Sequence, residues 1–263
     1  MQHWRKFQAA LIFYTCLPLR SQKTLDFRGI ALYAPLIGIL IGSAIASLDF
    51  CLGLLKPTSD FIYLRSLLTI LLGLLITGGL HLDGAMDTAD GLAVTDPNRR
   101  LEVMADSSTG AFGAMAGIIV LLLKVFALAA ISEHRFWILT SIWAWARWGQ
   151  LRAIMAYPYL KAIGKGKFHQ EDLHHWQVWL VVILLTIGNL AIGFLYKTSY
   201  QTSYQSSYQS IYLSVCLTVI GFSFAWLIGA WLNRQLGGQT GDTYGAIVEW
   251  TEALSLCAIA YLL

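Results

Sequence analysis

The chain has 263 residues, of which 57% are apolar and 13% charged, where soluble domains carry about 45–50% and about 25%. Together with a mean hydropathy of +0.60 and several apolar runs of about 20 residues, the length that crosses roughly 30 Å of hydrocarbon, this excludes a soluble globule and implies a polytopic membrane protein. The net charge of +3 points to no nucleic-acid partner, and in a membrane protein the placement of charges matters more than their sum.

A single all-α integral membrane domain over residues 1–263 is expected, with about 6–7 transmembrane helices and short cytoplasmic helices, because helices satisfy their own backbone in lipid. Residues 1–28 read as an interfacial helix and a basic segment. Arg5 and Lys6 precede an apolar stretch, Phe7 to Leu17, that ends at Pro18 without a small-residue cleavage pattern, so a removable signal peptide is not expected. Hydropathy then places spans at Ile30–Leu55, Phe61–Leu80, Ala111–Ile131, Phe136–Ala156, Trp176–Tyr196, Ile211–Leu232 and Gly245–Leu263. Trp137, Trp176 and Trp231, near span ends, read as interfacial anchors. Residues 198–210, TSYQTSYQSSYQS, form a polar repeat read as a neutral outer spacer. Cys16, Cys51, Cys216 and Cys257 stand singly without CxxC spacing, which indicates neither a disulfide framework nor a zinc site.

With a cytosolic N-terminus, Arg5, Lys6, Arg20, Lys23, Arg28, Arg99, Arg100, Lys161, Lys165, Lys167 and Arg234 lie inside, against Lys56, Arg135 and Lys197 outside. That bias predicts a multi-pass protein of the cytoplasmic (inner) membrane whose loops His81–Gly110, Tyr157–His175 and Asn233–Tyr244 face the cytosol. Arg65, Lys124, Arg147 and Arg152 fall within spans, where a charge is costly unless it pairs or faces a polar cavity.

Within residues 81–110, His81-Leu-Asp83-Gly84-Ala-Met-Asp87-Thr-Ala-Asp90-Gly91 spaces three aspartates by four and then three residues, which puts all three on one face of a helix. An acidic helix start explains one of them. Three converging carboxylates need a cation, and hard oxygen ligands without cysteine suit Mg²⁺, which completes its shell with water and substrate phosphate. A substrate carrying a pyrophosphate is the consequence. His81 reads equally as a ligand or as a backbone-bonded histidine, and Gly84 lets a ligand approach the backbone.

Downstream, Thr95-Asp96-Pro97 caps a short helix that carries Arg99 and Arg100, and Asp106-Ser-Ser-Thr-Gly110 reads as a phosphate or metal contact at the start of the next span, or as another capped start. Near the C-terminus, Gly237-Gly238-Gln-Thr240-Gly241-Asp242-Thr-Tyr-Gly245 leads into a span with Glu249 and Glu252 on one face. These glutamates mark a site, or else pair with Arg147 and Arg152 inside the bundle.

The first motif, together with Glu102-x-Met104-x-Asp106-Ser107-x-x-Gly110-x-Phe112-Gly113, Arg147 and Gly237-Gly238-x-Thr240-Gly241-Asp242-x-x-Gly245-Ala246-x-x-Glu249-x-x-Glu252, resembles the cobalamin synthase family, the membrane-bound adenosylcobinamide-GDP ribazoletransferases. The resemblance covers nearly the whole chain outside the polar repeat. It implies that α-ribazole or its 5′-phosphate is joined to adenosylcobinamide-GDP with release of GMP, that Mg²⁺ is required, and that the bilayer is the protein's setting. On that basis Asp83, Asp87 and Asp90 hold metal, and one of them or Asp242 is the general base. His81, Gly84, Arg100, Asp106, Arg147, Thr240, Glu249 and Glu252 contact substrate or the nucleotide. Ala105 and Ser108 stand where some relatives carry basic residues, which shifts a phosphate contact to Arg99, Arg100 or Arg147. Oligomeric state is left open.

Two other classes compete. A CDP-alcohol phosphotransferase or a prenyltransferase also uses aspartates with Mg²⁺, but Asp83-Gly84-Ala85-Met86-Asp87 lacks the arginine of a DGxxAR pattern. A transporter would use Lys124, Arg147, Glu249 and Glu252 as a path, yet inverted repeats are not evident.

Overall fold

Glycines and apolar runs lay out the helices of the computed structural model, which describes residues 2–18, 25–160, 171–199 and 204–263. Arg20, Lys23, Lys161, Lys165, Lys167 and His169 lie outside the described residues. In chain order the helices are α1 (Gln2–Tyr14), α2 (Ala34–Leu55), α3 (Ile62–Thr77), α4 (Leu80–Ala93), α5 (Arg100–Val103), α6 (Ala111–Ala130), α7 (Arg135–Ala156), α8 (His175–Ser199), α9 (Tyr204–Leu236) and α10 (Gly241–Leu262). Five helices are long and apolar enough to cross a membrane, and up to six if α3 and α4 count as one bent span. The fold is all-α and polytopic, as composition requires.

Helix α7 departs from the hydropathy reading. Phe136–Ala156 is expected as a span, but α7 carries Arg135, Arg147 and Arg152 and is not among the helices apolar enough to qualify. Its residues 141–154 are all buried, because α2, α9 and α10 wrap it and it meets protein on every side. Glycines let α2 lie against it: a Cβ on Gly38 would fall 2.5 Å from the Trp143 carbonyl oxygen, and one on Gly42 2.7 Å from the Thr140 Cα. This Gly-xxx-Gly spacing closes two helices backbone to backbone.

The chain bends by 89° between α3 and α4 at Gly78 and Gly79, whose φ angles of 64° and 72° favour glycine. The Asp-rich segment is thereby turned out of the α3 axis and laid across the start of α10.

Antiparallel neighbours sort the polar clusters to two ends. At one end Asp49 of α2 receives bidentate guanidinium contacts from Arg65, at 3.0 and 2.5 Å, and from Arg135, at 2.9 and 2.6 Å. At the other end lie α4, the end of α7 and the start of α10. Trp137 is no interfacial anchor: it is buried, donates to Asn189 Oδ1 at 3.1 Å and stacks on Tyr196. Trp176 and Trp231 are exposed, as anchors should be. The polar repeat is mostly not a spacer loop, since α8 and α9 take in all of it except residues 200–203, which lie outside the described residues.

Candidate active site

At the α4 end a cavity of about 410 Å³ opens between α1, α4, α7 and α10. Helix α1 does more than lie in the interface, because Ile12, Phe13 and Tyr14 form one wall. Asp83 and Asp242 both line the cavity, from α4 and α10. They meet because the two helices touch at glycine: a Cβ on Gly84 would lie 2.6 Å from the Asp242 carbonyl oxygen, and one on Gly245 2.8 Å from that of His81. Gly84 therefore serves a close helix crossing, and the motif glycines bring two distant aspartates to one cavity.

Asp83, Asp87 and Asp90 share helix α4, as their spacing predicts, but they meet different surroundings. Asp83 is exposed and Asp87 half-buried. Asp90 is committed elsewhere: Gly110 N donates to one of its oxygens at 2.8 Å and Gly113 N to the other at 2.7 Å. It caps α6, whose first amides would otherwise be unsatisfied. The start of α6 is thus occupied by a carboxylate from α4, where a substrate phosphate was one expectation. An Asp90→Ala protein should lose about 1–2 kcal/mol of stability, the worth of a strong cap, read as a lowered Tm in detergent.

Asp106, the other residue expected there, is exposed and outside the cavity. Ser108 N and Ser108 Oγ donate to it at 2.9 and 2.7 Å, and these bonds hold its carboxyl below the usual carboxylate range. Arg100 also turns to backbone, donating from Nη1 to the Gln235 carbonyl at 2.9 Å, which ties α5 to the end of α9. Thr240 is the N-cap of α10: Thr243 N donates to its Oγ1, and Thr240 Oγ1 donates to Asp242 Oδ2, each at 3.2 Å. It orients the cavity aspartate. The glycine turn before it is pinned by Gln239 N donating to the Pro158 carbonyl at 2.8 Å and Leu160 N to that of Gln239 at 2.9 Å.

Arg147 lies one layer below the cavity. Its Nη1 is 2.6 Å from His81 Nε2. Because a guanidinium only donates, His81 accepts there and is held as a neutral ring on the cavity wall. Glu249 and Glu252 pair with neither Arg147 nor Arg152 by direct contact. Lys124 Nζ donates to both, at 2.6 and 2.5 Å, and Arg147 lines the same small internal cavity, so two carboxylates face two cations. Arg152 is stacked 3.5 Å over the Trp226 ring, away from the glutamates, and donates to Tyr157 Oη.

Residues that motif reading missed complete the cavity. Gln150 of α7 and Tyr244 of α10 line it while 5% and 4% exposed, and Gln150 Oε1 and Tyr244 Oη have no hydrogen-bond partner. The signal for Gln150 was its place three residues after Arg147, on the same helix face. Lys124 was legible only as a lone lysine in an apolar helix.

Among the described residues, no group of three or more His, Cys, Asp or Glu side chains is placed to hold a metal ion by itself. Mg²⁺ is commonly held by one or two carboxylates plus substrate phosphate. Asp83 and Asp87, one turn apart on α4, are a pair of that size, Asp83 exposed and Asp87 half-buried.

The fold and site define an integral membrane protein with a cavity at one end of a helical bundle, its acidic lining residues Asp83 and Asp242. The family model for CobS, cobalamin-5-phosphate synthase, matches residues 6–260. An adenosylcobinamide-GDP ribazoletransferase of Trichormus variabilis is 46% identical over 97% of this chain and 96% of its own. The enzymes of the same name from Synechococcus elongatus and Synechocystis sp. are 46% and 40% identical, over 96% and 99% of this chain and 95% and 99% of their own. The chain belongs to the cobalamin-5-phosphate synthase family and is an enzyme, a transferase of cobalamin biosynthesis. No solved structure matches it.

Proposed function

We propose that this enzyme joins α-ribazole, or its 5′-phosphate, to adenosylcobinamide-GDP and releases GMP. The observation that carries the reading is the meeting of Asp83 and Asp242 at one cavity, in a chain whose relatives bear that activity in their names. A ribose hydroxyl oxygen of the acceptor forms a bond to the phosphorus attached to cobinamide. The anhydride bond to the second phosphorus breaks, and its bridging oxygen leaves with GMP. The hydroxyl proton passes to a carboxylate, Asp242 being suited because it lines the cavity and Thr240 Oγ1 donates to one of its oxygens.

Asp83 and Asp87 would hold Mg²⁺, which when bound supplies charge neutralisation along the diphosphate. Asp90 keeps the end of α4 docked on α6, so that the two preceding aspartates keep their places. His81, backed by Arg147, presents a neutral polar ring to the substrate. The cavity faces the cytosol of the inner membrane in this reading, which the excess of basic residues in the loops at its end supports.

GMP release by purified protein in detergent, given adenosylcobinamide-GDP, α-ribazole and Mg²⁺, tests the proposal. Cobamide formation that stops with EDTA and in an Asp87→Asn variant is expected. A folded wild-type protein that turns over neither form of the acceptor would reject the substrate pair.

A further inference from the structure

We infer that a second cavity, on another face of α7 from the one that holds Asp83 and Asp242, is a binding site for a phosphate group, with Arg152 as its principal ligand and His175 at its rim. The site stands apart from the proposed reaction and does not rest on it. The helical period separates the two cavities. Gln150 and Ile154 of α7 line the first, whereas Trp148, Arg152 and Met155, at offsets of four and three, line a smaller cavity of about 170 Å³ that α8 and α9 close with His175, Trp179 and Trp226.

Arg152 is a buried cation without a counter-ion. It is 9% exposed, and among the described residues it makes no ion pair. The residues outside that description contain neither Asp nor Glu, so the chain has no carboxylate left to supply one. Lys124 and Arg135, also buried, each meet a carboxylate. A charge taken out of water without a partner is costly. The face of Trp226, 3.5 Å away, offsets part of that cost, and Nη1 donates to Tyr157 Oη at 2.9 Å. Stacking occupies the face of the guanidinium and leaves its edge. Nε and Nη2 have no partner among the described residues and are not sealed within protein. Two parallel donors on such an edge match two oxygens of a phosphate.

The rest of the lining agrees in sign. Among the described residues, no Asp or Glu lines this cavity. His175 is the first residue of α8, a helix of 25 residues, so the positive end of that helix borders the cavity. A volume of about 170 Å³ lies below the roughly 300 Å³ at which sites begin to enclose whole small molecules, which suits a phosphate group and excludes a nucleoside. Trp176 and Trp179, both exposed in the first two turns of α8, are of the type that sits at headgroup level. A phosphate reaches such a place as the headgroup of an anionic lipid or as free phosphate.

Thermal unfolding of the purified, delipidated protein in dodecyl maltoside tests the assignment. Sodium phosphate and phosphatidylglycerol are added separately, with chloride at equal ionic strength and phosphatidylcholine as their controls. A saturable rise in Tm of about 5 °C beyond the control is expected with at least one probe, the scale that a ligand well above its Kd gives a chain of this size. A response to phosphate alone identifies free phosphate as the occupant, a response to phosphatidylglycerol alone identifies the lipid headgroup, and a response to both shows that the phosphate group itself is read. Arg152→Gln should abolish the response. Arg152→Lys should need at least about fivefold more probe, because an ammonium neither stacks nor presents a fork, and since it keeps the charge it reports even if Arg152→Gln fails to fold. Asp83→Asn should respond as the wild type does, which separates this site from the cavity of Asp83 and Asp242. A wild type unmoved by both probes, an Arg152→Lys protein that responds at the wild-type concentration, or loss of the response in Asp83→Asn overturns the assignment.

Discussion

An Asp83→Asn enzyme is expected to fold normally and to turn over at least about a hundredfold more slowly, the lower end of what a positioned acid–base or metal-holding carboxylate contributes. Stability should be unaffected because Asp83 is exposed and accepts no structural bond comparable to those of Asp90. The amide keeps the shape and removes the charge, so a loss reports on electrostatics alone. Its form separates two roles. If Asp83 holds the metal with Asp87, raising Mg²⁺ partly restores turnover and the Mg²⁺ concentration at half-maximal rate increases. If Asp83 were instead the general base, no Mg²⁺ concentration would help. Turnover of Asp83→Asn within a few-fold of wild type, measured as GMP release, would remove Asp83 from the site.

Replacing Lys124 by methionine is expected to cause the largest loss of stability, about 3–5 kcal/mol, the cost of leaving a buried charge without its partner. Lys124 is buried and is the group that contacts both Glu249 and Glu252. Methionine fills the same volume, so the effect is electrostatic and no cavity is created. The remaining cation, Arg147, already contacts His81 and makes no direct ion pair with either glutamate. A Lys124→Met, Glu252→Gln double variant should regain part of the loss, since one charge then faces Arg147. Thermal unfolding in detergent measures both, and a Tm for Lys124→Met equal to wild type would show that the triad contributes no net stability. The same triad argues against a transport path: its charges face one another across a cavity of about 20 Å³.

Several features were legible because they are local. Composition and runs of apolar residues define the bundle, and offsets of four and three place Asp83, Asp87 and Asp90 on one helix face, since both follow from the helical repeat. The Gly38 and Gly42 pair was equally available as a spacing, but its partner on α7 was not. Trp137 was misread for a physical reason: its place near a span end cannot tell whether its neighbour is lipid or protein.

By itself, then, the sequence determined that this chain is a helical membrane protein, which family it resembles, and which aspartates share a face, because hydrophobic length and helical period act over a few turns. Only the tertiary structure decided what each of those aspartates meets. Gly84 and Gly245 bring α10 against α4 and so place Asp242 near Asp83, while the start of α6 claims both oxygens of Asp90. It also decided that Glu249 and Glu252 answer to Lys124, more than a hundred residues away, and that Gln150 and Tyr244 share one wall. Such pairings depend on which helices pack together, and packing is settled by the fit of whole surfaces that no local spacing records.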